Sequence, residues 1–300
     1  MTAGEGGERD GSDMRTAMRS GPREAVGTEA PWVLRAEGLG KRYGSTDASV
    51  TALADAHLEI GQGEAVAIMG PSGSGKSTLL HAIAGIIAPD EGRVLLRTRA
   101  GTDGGGAVGA DDAGAGVATG TAGARSVDLA ALSDDERSAL RLRRFGFVFQ
   151  QGMLLPELTA SENVELPLLL AGFARSEARQ RSAETMSALG IGSLGGRRIG
   201  RLSGGQAQRI AIARALIADP QLIFADEPTG ALDSRTANEV LDALLQTGRE
   251  PGARALVVVT HDERVAARCD RTVRLRDGRI EGPGAGRAGS GEAVRPGGAR

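Results

Sequence analysis

Short apolar runs alternate with amphipathic stretches along most of this chain. Ala65 to Met69, Leu222 to Ala225 and Ala255 to Val259 are apolar throughout and bounded by polar or glycine-containing turns. That pattern predicts strands buried on both faces. Phe145 to Phe149 reads the same way, and Val33 to Ala36, Ala56 to Ile60 and Val94 to Leu96 read as early strands. Helical periodicity covers Lys76 to Ile87, Ser203 to Ile217, Ser234 to Gln246 and Glu263 to Arg268. It also covers residues 157–189, with breaks near Pro167 and Gly172. Ser133 opens a further helix, three residues before Glu136, the spacing of a capping box. Val273 to Leu275 and Arg279 to Glu281 flank Asp277-Gly278, a hairpin signal. Strands alternating with helices predict a mostly parallel α/β sheet with one inserted helical region. There is no long internal repeat of the kind a duplicated domain leaves.

Three segments fall outside this pattern. Residues 1–31 and 282–300 are polar, charged and rich in glycine, and they predict disordered tails. Between Gly101 and Gly123, 15 of the 23 residues are Gly or Ala and none is Leu, Ile, Phe or Met. So little apolar surface cannot offset the entropy of ordering, so a flexible insert is expected there. The first 30 residues lack the apolar core of a secretion signal, and no apolar run approaches the ~18 residues that span a bilayer. A role at a membrane would therefore need a membrane component on another chain.

Composition narrows the class further. The net charge of −2 argues against bulk binding to nucleic acid or acidic lipid. A single cysteine, Cys269, rules out an internal disulfide and suits a reducing compartment. Aromatics are only 2% of residues, so the core must be built from Leu, Val, Ile and Ala. Arginine supplies nearly every basic residue, the exceptions being Lys41 and Lys76. A lysine retained at position 76 is informative against that background, because a compact ammonium fits among phosphate oxygens where a planar guanidinium does not.

Lys76 lies in Gly70-Pro71-Ser72-Gly73-Ser74-Gly75-Lys76-Ser77, which follows a predicted strand and opens a predicted helix. This is the phosphate-loop pattern in the context it needs. Its glycines let backbone N–H groups curl around phosphates, and the helix start adds a favourable dipole. Lys76 is expected on the terminal phosphates, Ser77 on Mg²⁺ and Thr78 on a phosphate. The apolar strand Leu222 to Ala225 runs into Asp226 and Glu227, as a Walker B segment does. Asp226 would hold Mg²⁺, and Glu227 would act as general base or orient the attacking water.

Leu202-Ser203-Gly204-Gly205-Gln206 then opens a helix whose start can grip a phosphate. These motifs, with Gln150 after the strand Phe145 to Phe149 and His261 after Ala255 to Val259, jointly resemble the ATPase subunit of an ABC transporter. The resemblance covers about residues 32–281. It implies an α/β fold of the ABC-type P-loop NTPase class, with a RecA-like core, an antiparallel β subdomain and a helical subdomain over about residues 151–205. It implies ATP and Mg²⁺ as cofactors. It further implies a head-to-tail homodimer in which Ser203, Gly204, Gly205 and Gln206 cap the partner's ATP. Gln150 would sense Mg²⁺ and water, with Gln151 beside it as the other register. His261 would contact the γ-phosphate, and Gly230-Ala231-Leu232-Asp233 would touch the opposite subunit. Tyr43 would stack on adenine, with Trp32 as the alternative aromatic.

Residues 145–172 resemble the lipoprotein-release and macrolide-export branch of that family. The implied partner is an integral membrane permease, docked by segment 150–175, with the chain on the inner face of the cell membrane. Export or mechanical work across the membrane is the implied task. An importer shares every catalytic motif and remains the alternative. A soluble relative acting on DNA or ribosomes fits less well, because this chain has no long coiled coil, zinc cysteines or second cassette, and no nucleic-acid partner is expected.

Overall fold

A computed structural model describes residues 32–44, 49–97, 126–150, 152–230, 232–246 and 254–281. The expectations for the tails 1–31 and 282–300, the insert 101–123, Gln151 and Ala231 lie outside the described residues.

Two sheets organise the chain. The first is antiparallel and contains β1 (Trp32–Tyr43), β2 (Val50–Gly61), β4 (Glu91–Arg97) and β5 (Ser126–Asp128), in the order β2-β1-β4-β5. The second contains β3 (Ala65–Met69), β6 (Phe145–Val148), β7 (Leu222–Asp226), β8 (Ala255–Val259), β9 (Arg271–Arg276) and β10 (Arg279–Glu281). Its order is β10-β9-β3-β8-β7-β6, parallel except for β10 at one edge. The helices are α1 (Lys76–Ile83), α2 (Asp134–Arg144), α3 (Ala160–Leu170), α4 (Arg175–Ala188), α5 (Gly204–Leu216), α6 (Ser234–Gln246) and α7 (Glu263–Ala266). This is the RecA-like core, antiparallel β subdomain and helical subdomain that the resemblance implies.

Burial explains the strand assignments. Every residue of β3 and β8 is buried, as helices and a second layer on the two faces require. One core joins the antiparallel sheet, α1 and one face of the parallel sheet, through Leu34, Leu58, Leu79, Leu80 and Phe224. A second lies on the opposite face, where Ile212, Val240, Leu241 and Leu244 pack on Ile223 and Val258. A third belongs to the helical part, where Val164, Leu168, Met186 and Ile191 meet Ile210 and Ala213 of α5. Aliphatic residues dominate all three.

Several boundaries differ from the sequence pattern, each for a local reason. Strands β1 and β2 run twelve residues each, far beyond Val33 to Ala36 and Ala56 to Ile60. Register shifts around Leu39 interrupt the in–out alternation that would have revealed the rest. Helix α1 stops at Ile83 rather than Ile87. Ile86 N–H bonds the His81 carbonyl at 2.8 Å and Gly85 N–H bonds that of Ala82 at 3.0 Å, with Gly85 at φ +63°, a Schellman end. Helix α3 continues through Pro167, and only Gly172, at φ +86°, breaks the helical stretch before α4. Strand β5 and the single 3₁₀ turn after it, Leu129–Ala131, are too short to leave a periodic signal. The Ser133 capping box is formed as expected, with both reciprocal bonds present. Asp277 and Gly278, at φ +48° and +75°, make the two-residue turn between β9 and β10.

Candidate functional site

The parallel strands end side by side, and the predicted site residues follow those ends. The order β3-β8-β7-β6 places the Gly70 to Ser77 loop, His261, Asp226 with Glu227, and Gln150 along one edge of the sheet. Loops at the carboxyl ends of parallel strands are where α/β sheets bind ligands.

Close backbone approach dictates the shape of the phosphate loop. A Cβ at Gly70 would stand 2.1 Å from the Leu275 carbonyl oxygen, and one at Gly75 would stand 2.2 Å from that of Ala52. Both positions also have positive φ, so glycine is required twice over. Gly75 caps α1 with no side-chain bond to the helix start, so the first N–H groups of α1 carry no side-chain cap. Lys76 Nζ donates to the carbonyls of Gly70 and Pro71, at 3.0 and 2.8 Å. The Ser74 hydroxyl is buried without a protein partner, and Pro71, Ser72 and Gly73 are exposed.

Asp226 ends β7 half-buried, and burial raises its carboxyl above the usual carboxylate range; neighbouring Glu227 adds to this, while His81 and Lys76 oppose it. Glu227 has a left-handed backbone, φ +46°, unusual for a residue with a Cβ. Its N–H is tied to the Val259 carbonyl at 2.9 Å, and its carboxylate meets His261 Nδ1 at 2.7 Å. That hydrogen bond raises the His261 imidazole above its ordinary range. A Cβ at Gly230 would lie 3.2 Å from Gln150 Nε2 and 3.6 Å from the Glu227 carbonyl, so the segment after Glu227 passes directly over Gln150. The strand before Gln150 is fixed by aromatic packing, with Phe147 5.6 Å from Phe224 and 5.9 Å from Phe149.

Tyr43 ends β1 and is 46% exposed. It pairs with Val50, two residues before the Ala52 whose carbonyl abuts Gly75. Trp32 sits at the other end of β1, with the guanidinium groups of Arg35 and Arg97 over its ring at 4.8 and 5.0 Å from the centroid. Eleven residue steps along β1 place it on the order of 30 Å from Tyr43, away from the phosphate loop.

Ser203, Gly204, Gly205 and Gln206 lie elsewhere, at the start of α5, which packs on α3, α4, α6 and β6. Ser203 Oγ accepts from Gln206 N–H at 3.3 Å, and Gln206 Oε1 accepts from Ser203 N–H at 3.1 Å. Ser203 and Gly204 are exposed. Gly205 faces α6 on its Cα side. It is buried, and a Cβ there would stand 2.2 Å from Thr236 Cγ2. Thr236 carries no sequence motif, and only its place three residues after Asp233 hints that its hydroxyl meets that carboxylate. His81, whose charge acts on Asp226, is a second residue that the motifs do not reveal.

Among the described residues no helix is long and apolar enough to cross a membrane, and no three His, Cys, Asp or Glu side chains group as metal ligands.

Known proteins resemble this chain closely. The family model described as ABC transporter matches residues 53–230. A macrolide export ATP-binding/permease protein MacB of Paracoccus denitrificans is 42% identical over 253 residues, covering 84% of this chain and 33% of that protein. The chain thus spans about a third of the macrolide-export relatives. A lipoprotein-releasing system ATP-binding protein LolD of Gluconobacter oxydans is 42% identical over 248 residues, covering 82% of this chain and 94% of that protein. Among solved structures, a dimeric ATP-binding cassette in a post-hydrolysis state with ADP and Pi is 37% identical. It has a TM-score of 0.68 and covers 83% of this chain and 96% of that one.

Proposed function

The chain belongs to the ABC transporter ATPase family, and from this we propose that it hydrolyses ATP to drive a separate integral membrane permease, working as a homodimer on the inner face of the cell membrane. The observation that carries the reading is the alignment of the phosphate loop, His261, Asp226–Glu227 and Gln150 along one sheet edge.

In this reading Lys76 leaves the carbonyls of Gly70 and Pro71 for the terminal phosphates, beside the uncapped N–H groups of α1. Ser74, with a buried and unpartnered hydroxyl, has a hydrogen bond to give. Thr78 follows on the first turn and holds a phosphate. Tyr43 offers its exposed ring to adenine. Ser77, Asp226 and Gln150 would hold Mg²⁺, which neutralises phosphate charge. The donor set fits such an ion: a hydroxyl, an amide and one carboxylate whose burial favours a nearby cation, with phosphate oxygens completing the shell. Glu227 takes the proton of the attacking water or orients it, and the His261 bond sets the direction of its carboxylate.

Ser203, Gly204, Gly205 and Gln206 would close over the nucleotide of a second copy, so that two chains share two sites head to tail. Met153, Leu155 and Leu170 are apolar side chains left exposed beside α3 and offer the permease a surface. Likeness to the lipoprotein-release and macrolide-export proteins favours export or mechanical work on a lipoprotein, peptide or drug.

Glu227→Gln tests this in the native cell. The tagged variant should bind ATP, hydrolyse it at least about a hundredfold more slowly, and persist as an ATP-bound dimer that co-purifies with a permease from solubilised membranes. A permease of few spans with a large external domain supports export. A many-span permease with a binding protein would indicate import. Rapid turnover by the variant, or its recovery only with ribosomes or DNA, would overturn the reading.

A further inference from the structure

The start of α5 is locked to the start of α6 at two points. The first is Gly205 against Thr236. Asp233, just before α6, accepts from the N–H groups of Arg235 and Thr236, both at 3.1 Å. The Thr236 hydroxyl donates to the other carboxylate oxygen at 2.7 Å. With its hydroxyl held, Thr236 has one direction left for its methyl group, and that direction is Gly205. The second point lies about one turn further along each helix, where Arg209 pairs with Glu239, which also meets Arg235 at 3.4 Å. Beside these, a Cβ at Gly204 would sit 3.5 Å from Leu232 Cδ2, an ordinary contact.

The segment bearing Leu232 and Asp233 descends directly from Glu227, through a turn in which Gly230 N–H bonds the Glu227 carbonyl at 3.2 Å. Thr236 thus stands between the strand end that carries one chain's own carboxylate and the helix start offered to the other chain's nucleotide. We propose that Thr236, oriented by Asp233, is a positioning residue that fixes the Ser203–Gln206 segment through van der Waals contact with Gly205. This rests on the shared-site reading given above. The absence of a side chain at 205 is then required by the Thr236 methyl, which leaves the Gly205 N–H to the nucleotide. The reading is specific, because with Cγ2 removed the nearest Thr236 atoms to a Cβ at position 205 are Cβ at 3.5 Å and Oγ1 at 3.7 Å, both ordinary contact distances.

A rescue experiment decides it. ATPase kinetics and thermal unfolding are measured for the full chain, for Gly205→Ala, for Thr236→Ser and for the double variant, with ATP binding measured separately. Gly205→Ala should lower kcat by about tenfold or more with KM little changed, the cost of overpacking at a pinned contact. In the double variant Thr236→Ser makes room while keeping the hydroxyl on Asp233, and kcat should return to within about threefold of the parent. A double variant as slow as Gly205→Ala would overturn the proposal, since the glycine would then be demanded by something other than Thr236. Recovery of the unfolding temperature without recovery of kcat would also overturn it, by reducing the contact to stability alone. Ser203→Arg is the control for the underlying reading. It should bind ATP yet fail to turn over, and if it turns over, the shared site fails whatever the rescue shows.

Discussion

Helices α1 and α5 both begin at glycine-flanked ends assigned to phosphate, and they finish those ends in opposite ways. Helix α1 starts at Gly75, at φ +100°, with no side-chain cap and with the Ala52 carbonyl occupying the space a side chain would need. Its donors are backbone groups, left open. Helix α5 starts at Ser203, whose capping box with Gln206 takes the Gln206 N–H and fixes both side chains. The box still leaves the Ser203 hydroxyl proton and the Gln206 amide N–H groups to donate outward. One end is thus bare, with its donors open, while the other is a self-satisfied surface that holds its order by itself. An uncapped helix start costs stability that a ligand can repay on binding, whereas a capped start holds its shape without one.

Gly75→Ala breaks this contrast most severely. The alanine would need a left-handed backbone and would collide with a backbone carbonyl that cannot swing aside, at an expected cost of about 2–4 kcal/mol. Thermal unfolding of the nucleotide-free variant measures the cost, and titration with ATP should show binding lost as well. A variant with the parent's unfolding temperature and affinity would mean that the Ala52 strand end yields easily and that the cradle is not built by close approach.

The same contrast explains what was legible in the sequence. The phosphate loop, the strand into Asp226 and Glu227, the Ser133 box and the Ser203 cap are local patterns, each fixed by residues within eight positions of one another; the structure adds a box at Thr159 and completes the one at Ser203 with Gln206. Long-range contacts left no such trace. Gly75 gives no sign of Ala52, nor Gly70 of Leu275, nor Gly205 of Thr236, because the partners are joined only by the sheet order and by helix packing. The extra lengths of β1 and β2 were hidden because bulges erase the alternation by which strands are recognised. Gly205 shows the consequence for function. Its motif reads as a nucleotide contact and carries no sign of Thr236, the residue that its burial sets against it.

Ser203→Ala is a milder probe of the second end. It removes the acceptor for Gln206 N–H and should cost about 1 kcal/mol, read as a small fall in unfolding temperature. Ser203→Thr should keep most of the box. ATP binding to the isolated chain should not change for either, because the cradle at α1 is separate. A Ser203→Ala chain that loses ATP affinity as a monomer would show that the two ends are not independent within one chain.

The smallest effect concerns His261, which follows β8 beside the strand that leads into the α1 end. Its bond to Glu227 holds the imidazolium to higher pH than an ordinary histidine, so the contribution of this pair is present at low pH and is lost as pH rises through the raised value. The side chain is 74% exposed, so the gain in stability is slight and the titration itself is the useful measurement. NMR of the isolated, nucleotide-free chain should place the His261 midpoint above the ordinary histidine range. Glu227→Gln removes the carboxylate whose hydrogen bond and charge raise it and should move the midpoint down, while Ser203→Ala should leave it in place. A midpoint indifferent to Glu227→Gln would separate histidine from carboxylate. The site at the sheet edge would then be assembled only with nucleotide bound, and the difference between the two helix ends would narrow to their caps.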